Sequence, residues 1–191
     1  MAGARGSQTE MAVLGALSIE PMTGYALREA IRDVLGHFWS ESFGQIYPTL
    51  ATLERHGHVT RGGSTRAGSS LFAITTSGTE RLRDLLRQPV QATPPRNGLL
   101  LRLFFGRSLG VEACRALIAQ ARVDAQRRLD EFDAIAAQVA GETQHSDDML
   151  FWLLTVSAGR HSARATLAWA DESLAVLDAA PPAPADRNET G

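Results

Sequence analysis

The stretch SESFGQIYPTLATLERHGHV, Ser40 to Val59, decides how this chain folds. From Thr49 to Arg55 it has helical spacing, with Leu50 and Leu53 on one face and Thr49, Thr52 and Arg55 on the other. Pro48 stands just upstream, and a proline inside a running helix costs about 3 kcal/mol. The spacing therefore predicts a helix that starts at or near Ser42 and ends at Gly57, preceded by Ser-x-Gly-Gln-x-Tyr-Pro. It leaves open whether Pro48 begins the regular helix or lies in a distorted first turn.

Short elements surround this helix. Glu10 to Ser18 reads as a helix with Val13, Leu14 and Leu17 inward. Thr23 can cap a second helix, GYALREAIRDVLG, with Tyr25, Leu27, Ile31, Val34 and Leu35 at the apolar positions and Gly36 as its stop. HVTRGG and SSLFAITT alternate on either side of a Gly/Ser/Arg loop, which predicts a β-hairpin. Val59 points inward on the first strand; on the second, either Leu71 and Ala73 or Phe72 and Ile74 do so. SGTERLRDLLRQ follows as a helix, with Ser77-x-x-Glu80 as a capping box and Thr76 as a rival cap. Three helices, a hairpin and a further helix make the order of a winged helix-turn-helix domain over residues 10–88.

RQPVQATPPRNG then breaks the apolar pattern, so 89–98 is expected as a linker. Residues 99–180 read as a helical domain. In Val111 to Ala140, Cys114, Ile118, Ala121, Ala125, Leu129, Phe132, Ile135 and Val139 recur at spacings of three and four. A second long helix follows, apolar on several faces from Met149 and narrowing to Leu167, Ala170, Leu174 and Leu177. Long amphipathic helices on so small a domain predict pairing with a second copy. The fold class expected is mainly α, a winged helix with an α/β-hairpin followed by a long-helix dimerisation domain. Residues 1–9 and 181–191, small, polar or proline-rich, are expected as disordered tails.

The net charge of −2 conceals a segregation of charge. Residues 55–87 hold six arginines against Glu80 and Asp84, whereas residues 129–191 hold eleven acids against three arginines. There is no lysine, so each charged contact with a phosphate would be a guanidinium. The single cysteine, Cys114, excludes an intramolecular disulfide and reads as a small core residue. No apolar run reaches membrane-spanning length and no signal peptide opens the chain, so a cytoplasmic location and no membrane partner are expected.

No catalytic constellation is recognisable. His56 and His58 straddle a helix end without a third residue at metal-ligand spacing, so no metal or cofactor is expected. Asp147 and Asp148 read as charge at a helix N-terminus. There is no phosphate loop or nucleophile elbow, and an enzyme is not expected.

A DNA-binding reading gives the polar helix face a role. In a helix-turn-helix, the second helix offers its N-terminal side chains to base edges in the major groove. Here those are Ser42, Gln45, Tyr47, Thr49 and Thr52, with Gly44 permitting close approach of the backbone. Arg61 and Arg66 flank the hairpin loop and are candidates for phosphate or minor-groove contacts. The residues by themselves suit a generic amphipathic surface helix equally well.

A resemblance tips that balance. AVLGALSIEPMTGYALREAI, SFGQIYPTLATLERHGHVTR and LFAITTSGTERL together resemble the PadR family of winged-helix transcription regulators. The family pattern is met by Leu14 and Gly15, by Pro21, Gly24, Tyr25 and Leu27, and by Ser42, Gly44, Ile46, Tyr47, Pro48, Leu50, Leu53, Glu54 and Gly57. Ile74, Thr75 and Gly78 meet its Leu-Thr-x-x-Gly turn, with Ile for Leu. The chain from Gly98 on is similar to the helical dimerisation domain that often accompanies it.

The resemblance implies a homodimeric, sequence-specific DNA-binding regulator, expected as a repressor, on an inverted-repeat operator of double-stranded DNA. It places Ser42, Gln45, Tyr47, Pro48 and Thr49 at the DNA surface; Tyr25, at helical spacing with Leu27 and Ile31, could be core or touch phosphate through its hydroxyl, and a mixed role is expected. It also implies a small aromatic or drug-like effector, for which Trp39, Trp152 and Trp169 are the candidate lining. The hairpin departs from the family in its sparse charge, with Ser69 and Ser70 where more arginine is usual. That leaves an alternative: a winged-helix protein-interaction module that no longer binds DNA.

Overall fold

The computed structural model describes residues 2–39, 43–64, 70–90, 96–141 and 143–179. The chain divides into two compact units, 1–93 and 94–191.

The first unit runs α1 (Ala2–Ile19), β1 (Met22–Thr23), α2 (Gly24–Ala30), a π-helical turn (Ile31–Leu35), a 3-10 turn (Phe43–Gln45), α3 (Ile46–Arg55), β2 (Val59–Ser64), β3 (Ser70–Ile74) and α4 (Thr76–Leu86). Its core is one cluster: Val13, Leu14 and Leu17 of α1, Leu27 and Ile31, then Ile46, Leu50 and Leu53 of α3. Val59, Phe72, Leu82 and Leu85 complete it. Each helix contributes an i, i+3/i+4 stripe, and the burial of these stripes, rather than helix propensity, holds segments this short in place. The strands form an antiparallel sheet in the order β1-β3-β2. Val59 pairs with Ile74 and Arg61 with Phe72, with an irregularity between Gly62 and Ser64. Phe72 and Ile74 pack on the core, which resolves the inward face of β3.

The structure corrects several expectations. α1 begins at Ala2, not Glu10. Residues 2–9 are therefore helix rather than tail, and Thr9, at 2% exposure, is covered by the fold. The short strand β1 was not anticipated; it pairs Met22 with Phe72 and Thr23 with Leu71. Thr23 does cap α2, its hydroxyl accepting from the amide of Ala26. The cap of α4 is Thr75, not Ser77 or Thr76. Thr75 leaves β3 in extended geometry (φ −96°, ψ 172°), and its hydroxyl accepts from the Gly78 amide and donates to the Gly57 carbonyl. Ser77 is engaged elsewhere, 2.9 Å from His58 Nδ1.

Pro48 is the third residue of α3, after a 3-10 turn. The first four amides of an α-helix have no intrahelical acceptor, so the missing N–H at this position costs no helical hydrogen bond.

The second unit comprises α5 (Gly98–Phe104), α6 (Gly106–Leu109), α7 (Val111–Ala140) and α8 (Ser146–Ala179). Asn97 caps α5, its side-chain oxygen accepting from the amides of Leu99 and Leu100, each at 3.0 Å. α7 and α8 pack antiparallel: Arg115 pairs with Asp178, Arg122 with Asp171 and Arg160 with Asp133. Cys114, Ile118, Ala125 and Phe132 of α7 are buried together with Val156, Ala163 and Ala170 of α8. The expected α7 seam is thus the one observed. The expected tail at 181–191 and part of the expected linker, 91–95, lie outside the described residues.

Candidate nucleic-acid interface

α3 buries Ile46, Leu50 and Leu53 against the core of its unit. At about 100° per residue, the stripe directly opposite is Pro48, Ala51, Thr52 and Arg55. Pro48, Ala51 and Arg55 are exposed, and Arg55 donates to the Thr52 hydroxyl at 2.9 Å. This pairing holds the guanidinium back along the helix toward its N-terminus.

The sequence-predicted contacts do not share one face. Tyr47 and Thr49 point roughly 160° apart. Tyr47, 49% exposed, lies on the α2 flank. Its ring sits so close to Gly24 that a Cβ there would come within 2.8 Å of Cε1. Gly24 leads directly into Tyr25, which is 65% exposed, with the Arg28 guanidinium 6.0 Å from its ring centroid. Tyr25 is thus a surface residue, and the core alternative is ruled out.

On the opposite flank, Gln45, Thr49, Thr52 and His56 line a groove together with Glu10 of α1 and Arg81 of α4. Arg81 makes a bidentate contact with Glu10, both hydrogen bonds 2.8 Å long. These hydrogen bonds hold the Arg81 guanidinium above its ordinary range. The groove wall is therefore a neutralised ion pair rather than a free cation. Gly44 is exposed in the 3-10 turn beside Gln45.

Arg61 lies at the base of the hairpin but is already engaged. It donates to Glu54 of α3 at 3.1 Å and stacks 5.0 Å from the centroid of the Phe72 ring. Ser42 and Arg66 lie outside the described residues. Arg55 was missed as a candidate, although the signal was available: it lies opposite Leu53 and Leu50 in the helical period.

The tryptophans do not come together. Trp39 packs against the core of the first unit. Trp152 and Trp169 are half-buried on α8. Seventeen residues of helix separate that pair by roughly 25 Å, so within one chain they cannot line a single pocket. Trp152 has His145 beside it, with ring centroids 5.9 Å apart. Among the described residues no cluster of three or more His, Cys, Asp or Glu could hold a metal ion. No helix among them is long and apolar enough to cross a membrane.

Residues 13–84 match the model of the transcriptional regulator PadR-like family. The chain carries a PadR-like domain. Residues 95–178 match a second family, the virulence activator alpha C-terminal domain. The negative transcriptional regulator PadR of Bacillus subtilis is 25% identical over 176 residues, 87% of this chain and 96% of its own length. The PadR-like regulator BC1756 of Bacillus cereus has a similar fold, with a TM-score of 0.76 at 24% identity over 90% of this chain and 98% of its own. B. subtilis PadR has been solved in complex with operator DNA, with a TM-score of 0.74 at 24% identity over 88% and 98% of the two chains. It has also been solved with p-coumaric acid, with a TM-score of 0.71 at 25% identity over 88% and 98%. The PadR-like fold here is thus a winged helix followed by a helical region, and its matched relatives are transcriptional regulators rather than enzymes.

Proposed function

We propose that this PadR-like chain is a homodimeric transcriptional repressor that reads an inverted-repeat operator through α3. The observation that carries the proposal is the outward stripe of that helix. Pro48, Ala51 and Arg55 stand exposed opposite a fully packed apolar face, so the helix is held by its inner face while its outer surface points away from the core. Gly44, Gln45, Pro48 and Thr52 supply backbone approach and base-edge contacts from the leading end, as the geometry of a recognition helix requires. Thr49 enters from the groove flank. Tyr25 and Tyr47 supply phosphate contacts from the α2 corner. The negative regulator PadR, solved with operator DNA, supports both the partner and the sign of regulation.

The second unit supports homodimerisation. Phe104 and Phe105 of α5–α6 and Leu150, Phe151 and Leu154 of α8 are large apolar side chains left exposed in a single chain. Exposed large apolar side chains grouped in this way on α8 fit an interaction site. A small aromatic acid, the class to which p-coumaric acid belongs, is the proposed effector, and Trp152, half-buried on α8 beside His145, is its proposed sensor.

The test is selection of binding sequences from a random duplex pool, followed by anisotropy on the recovered DNA and on a scrambled control. An inverted repeat with half-sites about 10 bp apart is expected, bound more tightly than the control and weakened by salt. No enrichment, with equal weak binding to both duplexes, would instead indicate a protein-interaction module.

A further inference from the structure

Three elements of the first unit converge on one side chain. Arg61, on β2, donates from Nη2 to Oε2 of Glu54 on α3 at 3.1 Å. Its guanidinium also lies 5.0 Å from the centroid of Phe72, the residue directly across the ladder on β3. Phe72 is buried in the core, whereas the Arg61 and Glu54 side chains are 52% and 33% exposed. The guanidinium therefore closes the seam between recognition helix and hairpin from the solvent side.

We propose that Arg61 is a positioning residue that braces the hairpin against α3, with Glu54 as its counterpart, and not a phosphate contact. This rests on the DNA-binding reading above. Swinging out to a phosphate would take Arg61 off both partners. Glu54 would then stand unneutralised on the flank of a helix seated against a polyanion, where like charge opposes binding. The stacking on Phe72 would be lost in the same movement. The brace avoids both losses and fixes the angle between α3 and the strands, on which register along a duplex depends.

The experiment compares the full-length wild type with R61Q, E54Q and E54Q/R61Q. Each is titrated on the wild-type-selected sequence and on scrambled DNA over a series of salt concentrations. As a brace, each single variant lowers affinity for the selected sequence about three- to tenfold, and the double variant loses no more than the weaker single. Affinity for scrambled DNA stays within about twofold, and the salt slope is unchanged.

A phosphate contact gives the opposite pattern: R61Q reduces the slope by about 0.9, and E54Q tightens binding to both DNAs. That pattern overturns the brace while leaving the regulator intact. A shift in melting temperature with unchanged affinity in the folded variants overturns it as well, because a merely structural pair would behave so. If the wild type selects no sequence at all, the regulator reading fails, and the brace with it.

Discussion

Replacing Gly78 and Gly15 separately with alanine should move stability in opposite directions, although both lie inside helices of the same unit. Around Gly15, in α1, a Cβ would meet nothing within 4 Å. There the ordinary propensity difference applies, and alanine is expected to stabilise by up to about 1 kcal/mol. Gly78, in the first turn of α4, has no unusual backbone angle; what it lacks is space. A Cβ there would fall 2.0 Å from the carbonyl oxygen of His58 and 2.8 Å from Cγ1 of Ile74.

The first neighbour is backbone, at the edge of the hairpin, and it also accepts the Thr75 amide at 3.0 Å. Relief would require α4 to move off the sheet, loosening both that bond and the Thr75 cap on the Gly78 amide. Overpacking costs about 1–3 kcal/mol and a lost cap about 1, which together outweigh the propensity gain. A net loss of roughly 2 kcal/mol is expected for Gly78→Ala. The unit can be read alone in a W152F/W169F background, where Trp39, packed on its core, is the sole tryptophan. Urea unfolding followed by its fluorescence gives both signs in one experiment. A Gly78→Ala protein as stable as its parent would refute the steric argument. A Gly15→Ala protein destabilised by more than about 1 kcal/mol would refute the propensity argument.

Three further outcomes follow from the geometry. Asn97→Ala removes the acceptor for two amides at the start of α5 and should cost the second unit about 1 kcal/mol, with hydrogen exchange at Leu99 and Leu100 as the readout. Asp33 is held below the usual carboxylate range, first by hydrogen bonds from Arg32 at 2.7 and 3.1 Å, against an opposing desolvation. Its folded value is depressed, so its contribution is present above pH about 3.8 and is lost as pH falls through the folded value; Asp33→Asn should flatten only that acid limb of a stability profile. Arg55→Ala should weaken binding to a selected sequence about tenfold and relax preference at one position per half-site if the guanidinium reads a guanine. A uniform loss on all sequences with a shallower salt slope would make it a phosphate contact instead.

The order of elements was legible because each helix of the first unit carries its own apolar stripe. Ile46, Leu50 and Leu53 define α3 whatever surrounds them. What escaped were features decided at long range. The strand β1 is two residues, too short for any period, and exists because Met22 and Thr23 find partners at Phe72 and Leu71. Thr75 outcompetes Ser77 as the α4 cap because the Gly57 carbonyl, eighteen residues earlier, takes its proton while His58 occupies the serine. The extension of α1 to Ala2 leaves no apolar signature in MAGARGSQTE.

The interface shows a different kind of miss, since its information was present but grouped wrongly. Tyr47 and Thr49 were grouped with Thr52 as polar side chains near the start of the helix, although of the three only Thr52 lies on the stripe opposite Leu50 and Leu53. Once Leu50 and Leu53 are assigned to the core, rotation by half a turn selects Pro48, Ala51, Thr52 and Arg55, with no coordinates needed. The same arithmetic separates Trp152 from Trp169. The state of Arg61 could not be obtained that way, because its partners come from two other elements, seven and eleven residues away in opposite directions. A carboxylate already paired with a basic residue at a candidate DNA surface therefore reduces the charge that residue offers to a phosphate. In this unit Glu54 and Glu10 claim Arg61 and Arg81, while Arg55, bound only to a neutral hydroxyl among the described contacts, keeps its charge for a partner.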